Sequence, residues 1–126
     1  MKIEFEWDKK LNINTVGRDA TLEDSHHYPY EPTPYSVLER LVDSDYITCE
    51  NKVIDYGSGK GRVGFFLNDQ IGCKVLGIDF DERMDALARE NLKKYGDNLT
   101  LWIILHFIVQ QNLYLEKILK VSVENW

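Results

Sequence analysis

The chain has 126 residues, 44% of them hydrophobic and 12% aromatic, and carries a formal net charge of −6 at pH 7. That length suits one domain able to bury a core. An acidic chain whose Lys and Arg are scattered repels polyanions, which argues against nucleic-acid binding by this chain alone and against an anionic membrane surface.

The opening residues, Met1-Lys2-Ile3-Glu4-Phe5-Glu6, lack the apolar segment of a signal peptide. The longest apolar run, Leu101 to Val109, is too short to span a bilayer. Cys49 and Cys73 have no metal-ligand spacing and read as reduced thiols of a cytoplasmic protein.

Taken in chain order, Ile3, Phe5 and Trp7 alternate with Glu4 and Glu6, which predicts a half-buried strand. Asp8-Lys9-Lys10 would turn it into a second strand, Leu11 to Val16. Residues 17–32 have no period and read as a loop. Thr33-Pro34 predicts an N-cap and a first-turn proline for a helix whose apolar face is Val37, Leu38, Leu41 and Val42.

Val53 to Tyr56 is a short core strand, followed by three glycines at alternate positions. Val63, Phe66 and Leu67 mark a helix ending at Gly72. Lys74 to Ile78 is a second core strand closed by Asp79. Residues 82–95 give the strongest helical period, with Met84, Leu87, Ala88, Leu92 and Tyr95 on one face and Gly96 as the stop. Leu99 to Val109 is a third apolar run, and residues 110–121 predict a short helix. Alternating strands and helices predict a parallel α/β sheet.

The glycine turn carries the functional signal. It leaves open N–H groups at a helix N-terminus, where the dipole is positive. A phosphate-binding loop needs Ser or Thr after its lysine, and Lys60 is followed by Gly61. The dinucleotide pattern is met by Gly59-Lys60-Gly61-Arg62-Val63-Gly64, but that places its first glycine two residues beyond the expected strand end. Asp55-Tyr56-Gly57-Ser58-Gly59-Lys60-Gly61 fits a third pattern in full: an acid, one residue, then three alternating glycines directly after a strand.

With those residues in view, the sequence resembles the class I S-adenosylmethionine-dependent methyltransferases. Val53 to Gly61 looks like their first motif, and Gly77-Ile78-Asp79-Phe80-Asp81 like the acidic motif closing their second strand. Tyr30-Glu31-Pro32-Thr33-Pro34-Tyr35 is similar to a cofactor-side motif of some members.

The resemblance implies a Rossmann-like parallel sheet with flanking helices, and S-adenosyl-L-methionine as cofactor. It implies that Tyr56, Gly57, Ser58, Gly59 and Gly61 lie against the methionine and ribose, with Asp55 facing the methionine amino group or organising the turn. Asp79 would accept from the ribose hydroxyls, since a carboxylate can take two hydrogen bonds at once. Phe80 would lie near adenine, and Tyr30, Thr33 and Pro34 would line the pocket.

The resemblance covers about residues 30–96, within a cofactor-binding core (30–98) that lies between an N-terminal hairpin and loop (1–29) and an atypical C-terminal strand and helix (99–126). The third apolar run leads into Gln110-Gln111-Asn112, without the acidic or polar adenine contact of the family. The fourth-strand proline motif of amino-methylating members is absent, and no glycine or proline follows Leu99. The sheet is therefore expected to be incomplete compared with the seven-stranded fold, as in a truncated or frame-altered enzyme, with self-association through residues 99–109.

No catalytic residue is assigned, and the expected acceptor is a small molecule or a protein. Two other readings remain: a non-catalytic interaction protein retaining the fold, and a nicotinamide-type oxidoreductase fragment. His26-His27 and His106 lack the partners of a metal or catalytic site and read as loop residues and as a core or edge residue, respectively.

Overall fold

The computed structural model describes residues 2–17, 30–79, 81–96 and 102–106, the last segment through its backbone. Its elements are α1 (Lys2–Leu11), α2 (Tyr35–Asp43), β1 (Lys52–Tyr56), α3 (Arg62–Ile71), β2 (Lys74–Asp79), α4 (Glu82–Tyr95) and β3 (Trp102–His106). The strands form one parallel sheet in the order β1-β2-β3. Both crossovers step the same way, so right-handed connections put α3 and α4 on one face. There Phe65 of α3 meets Tyr95 of α4 with ring centroids 5.0 Å apart.

The core is built from Phe65, Phe66 and Leu67 of α3, Val75 of β2 and Ala88 of α4, extended by Tyr35 and Leu38 of α2 and by Leu11 and Ile13. α4 starts and ends where its sequence requires. The Asp81 side chain accepts from the Arg83 N–H at 2.9 Å, and Gly96 ends the helix. α3 stops at Gly72 in the left-handed region, φ +80°.

The expected N-terminal hairpin is wrong. Residues 2–11 form a helix, and 13–16 follow it outside any strand of the described residues. The alternation of Ile3, Phe5 and Trp7 misled because Ile3 and Phe5 are 54% and 57% exposed. The inward face is Glu4, Trp7, Asp8 and Leu11, a spacing of three and four residues in which acids take half the places. A hydrophobic period cannot register a face of that kind.

Trp7 packs edge-on to Phe66 at 4.9 Å and against Tyr35 at 5.8 Å. The start of α2 also moves by one residue. Pro34 is the N-cap and the Thr33 side chain does not cap; instead Glu4 of α1 accepts the Tyr35 N–H at 3.2 Å.

A candidate cofactor site at the glycine turn

β1 and β2 run parallel with Tyr56 beside Ile78, so their C-terminal ends meet at one edge of the sheet. Ligands of open α/β sheets bind outside such ends. Where β1 ends, the chain stays bonded to β2: the Ile78 carbonyl accepts from both the Gly57 N–H (2.7 Å) and the Ser58 N–H (3.0 Å).

This path needs positive φ at Gly57 (+73°), Gly59 (+55°) and Gly61 (+96°), which glycine adopts without steric cost. Gly59 also lies against the Tyr30 ring, where an added Cβ would come within 2.6 Å of a ring carbon. The Gly59 N–H donates to Asp79 Oδ2 at 2.8 Å, and the Asp81 N–H to Oδ1 at 2.8 Å. The two motifs read from sequence are thus joined by one hydrogen bond.

A buried polar network supports the turn from the N-terminal side. Asp8 accepts from the Thr15 hydroxyl (2.6 Å), the Tyr35 hydroxyl (2.6 Å) and the Thr15 and Val16 N–H groups. Arg62, the first residue of α3, donates through Nε to Thr15 Oγ1 at 2.7 Å and through Nη1 to the Thr33 carbonyl and to Glu4. Its guanidinium lies 4.3 Å from the Tyr35 ring centroid. The Tyr30 hydroxyl donates to the Thr15 carbonyl at 2.8 Å, which holds its ring over Gly59.

Burial sets the charge states here. It pushes the Asp55 carboxyl up to about 6, helped by the nearby Asp79 charge. It raises Asp79 as well, against the two N–H groups that favour its ionised form. Burial also holds the Tyr30 and Tyr35 phenols well above their usual range, so both remain donors. The Lys60 ammonium sits 4.7 Å from the Tyr30 ring centroid, and burial pulls its pKa down.

Asp55, Tyr56, Gly57, Ser58, Gly59, Gly61 and Asp79 all lie at this edge, and Tyr30 joins them from a distant part of the sequence. Tyr56 is 62% exposed. Thr33 takes part through its carbonyl, bonded to Arg62, and Pro34 through the start of α2. Phe80 lies outside the described residues, as do His26-His27, the expected helix at 110–121 and the side chains of 99–109 on which self-association rests.

Sequence reasoning missed Asp8, Thr15, Arg62 and Asn91. Asn91 had a readable signal: it stands three residues after Ala88 and seven after Met84, a polar residue on the inward face of the most regular helix. Among the described residues no cluster of three or more His, Cys, Asp or Glu could hold a metal. None of their helices is long and apolar enough to cross a membrane.

A profile described as "Methyltransferase domain" matches residues 53–109, from β1 past β3. A curated protein-lysine N-methyltransferase of Saccharolobus islandicus is 28% identical over 71 residues, which are 56% of this chain and 44% of that protein. The structure of an RNA methyltransferase from Salinibacter ruber, solved with S-adenosyl-L-homocysteine, superposes with a TM-score of 0.56 at 26% identity, covering 64% of this chain and 52% of its own.

A putative protein-L-isoaspartate O-methyltransferase from Plasmodium falciparum, also solved with S-adenosyl-L-homocysteine, gives a TM-score of 0.52 at 20% identity. It covers 74% of this chain and 47% of its own. The fold is the Rossmann-like fold of class I methyltransferases, carried in part. The chain spans about half the length of these relatives.

Proposed function

We propose that this chain binds S-adenosyl-L-methionine at the glycine turn and serves methyl transfer to a protein or small-molecule acceptor. The observation that carries the reading is the Gly59 to Asp79 hydrogen bond, which sets the turn and the second-strand acid side by side at the ends of adjacent parallel strands.

The residues present fit that cofactor. Each Asp79 oxygen already accepts one N–H and has a further lone pair for a ribose hydroxyl. A Cβ at Gly57 would meet nothing within 4 Å, so the turn offers an open ledge. The Ser58 hydroxyl is buried with no partner among the described residues, a donor placed in the turn itself. Asp55, ionised above about pH 6, suits the methionine ammonium. The cofactor supplies an activated methyl group; the chain's part is to hold it in register with the acceptor.

The net charge of −6 favours a protein or small-molecule acceptor over RNA, in keeping with the lysine-methylating relative. The cytoplasm is the compartment proposed for it, and its catalytic groups belong with the acceptor site.

Calorimetric titration with S-adenosyl-L-homocysteine, with NAD as control, tests the reading. Saturable binding of S-adenosyl-L-homocysteine alone is expected, weakened at least ~10-fold in Asp79→Ala, the cost of losing a buried charged acceptor. A folded chain that binds NAD instead, or neither ligand, refutes it.

A further inference from the structure

Asn91 lies on the inner face of α4, 2% exposed. Its amide is used at both ends. Oδ1 accepts the Asn14 N–H at 2.8 Å, while Nδ2 donates to the Asn14 carbonyl and to the Lys60 carbonyl, each at 3.0 Å. Both amide protons are therefore committed.

The Lys60 carbonyl and the Gly61 N–H belong to one peptide unit. That N–H donates to the Ser58 carbonyl at 2.9 Å. The unit is thus held at both ends, from within the turn and from α4. It is also the unit that opens α3, because Gly61 is the N-cap, at φ +96°, with no side chain capping the helix. A glycine does not hold its own peptide plane. Rotation of this plane would re-aim the first N–H groups of α3 and pull on Gly59, two residues earlier, whose N–H is bonded to Asp79.

The other two Asn91 bonds grip Asn14, next to Thr15. The Thr15 carbonyl receives the Tyr30 hydroxyl, and its own hydroxyl receives Arg62 Nε. A single amide therefore ties the floor of the turn to the segment that carries the Tyr30 wall.

We propose that Asn91 is a positioning residue for the cofactor: it fixes the Lys60–Gly61 peptide and the Asn14–Thr15 segment relative to each other, and through them sets cofactor affinity. This rests on the cofactor reading above and extends it to a residue outside both sequence motifs.

Two variants separate the bonds. Asn91→Asp keeps the acceptor for the Asn14 N–H and loses both donors, and Asn91→Ala loses all three bonds. Leu38→Ala, in the core of α2, controls for lost stability. S-adenosyl-L-homocysteine is titrated at a temperature where circular dichroism shows each variant folded, and amide hydrogen exchange is followed without ligand.

Both Asn91 variants are expected to bind about ten-fold more weakly or worse, the effect of leaving buried polar groups unpaired. Leu38→Ala should bind as the unmodified chain does. The Gly61 amide should exchange faster in the Asn91 variants, while those of Leu76 and Ile78 keep their rates.

Unchanged affinity and unchanged Gly61 exchange in a folded Asn91→Asp chain would overturn the assignment. An unmodified chain that does not bind S-adenosyl-L-homocysteine would overturn the cofactor reading instead. The Gly61 exchange would then decide alone whether Asn91 holds the turn.

Discussion

The glycine turn and the N-terminal segment are held by different means. In the turn, most backbone groups bond to one another or to Asp79, with Asn91 reaching the Lys60 carbonyl, and glycines supply the φ values the path requires. In the N-terminal segment, the backbone of residues 14–16 is bonded by side chains: Asp8, Asn91 and Tyr30. The first arrangement constrains which residues can stand in the turn. The second constrains only which side chains converge on it, and those come from α1, from α4 and from Tyr30 ahead of α2. Polar convergence of this kind is costly to break, because each lost partner strands a buried group.

The largest expected effect follows from that difference. Asp8→Ala removes the acceptor of the Thr15 and Tyr35 hydroxyls and of two N–H groups, beside the buried Arg62. A loss of about 3–5 kcal/mol in urea unfolding is expected, the range for breaking a buried charged network. A loss below 1 kcal/mol would show that the N-terminal network contributes little.

Asp55 gives the next effect, with the opposite sign. Its carboxyl ionises near 3.8 in an unfolded chain and near 6 in the fold. The fold therefore binds the proton more tightly, and that stability is fully present below about pH 4 and lost as pH rises through 6. Asp55→Asn should raise stability at pH 7 by up to about 3 kcal/mol and leave it unchanged at pH 4. It should also abolish the weakening of S-adenosyl-L-homocysteine binding expected for the unmodified chain below pH 6. Parallel melting curves at the two pH values test the first part, and titrations on either side of pH 6 the second.

Gly61→Ala probes the turn itself. The residue would carry a Cβ at φ +96°, 2.6 Å from the ring of the fully buried Phe65. Backbone strain of this kind costs about 1–3 kcal/mol, before any movement of Phe65. A chain as stable as the original would show that the turn relaxes freely.

The smallest effect sharpens the contrast between helix and hairpin at the N-terminus. Ile3 and Phe5 lie on the exposed side of α1, so changing both to Ser should alter stability by less than about 0.5 kcal/mol per site. A buried strand face would lose several times that, and a large drop in melting temperature would favour the hairpin.

The sequence by itself determined the sheet and the turn. The segments 53–56 and 74–78, the helix over 82–95 and the stops at Gly72 and Gly96 were all legible. Each rests on local physics: short apolar runs make core strands, a 3.6-residue period makes an amphipathic helix, and positive φ demands glycine. Tertiary structure alone decided the rest. α1 is a helix whose inner face is acidic because Arg62 and the hydroxyls of Thr15 and Tyr35 lie opposite it, 7 to 58 residues away in the sequence. Capping of α2 by Glu4, the placement of Tyr30 over Gly59 and the three-way grip of Asn91 are likewise long-range. A polar side chain advertises its partner in no local pattern, because its value depends on what the fold brings within hydrogen-bond reach.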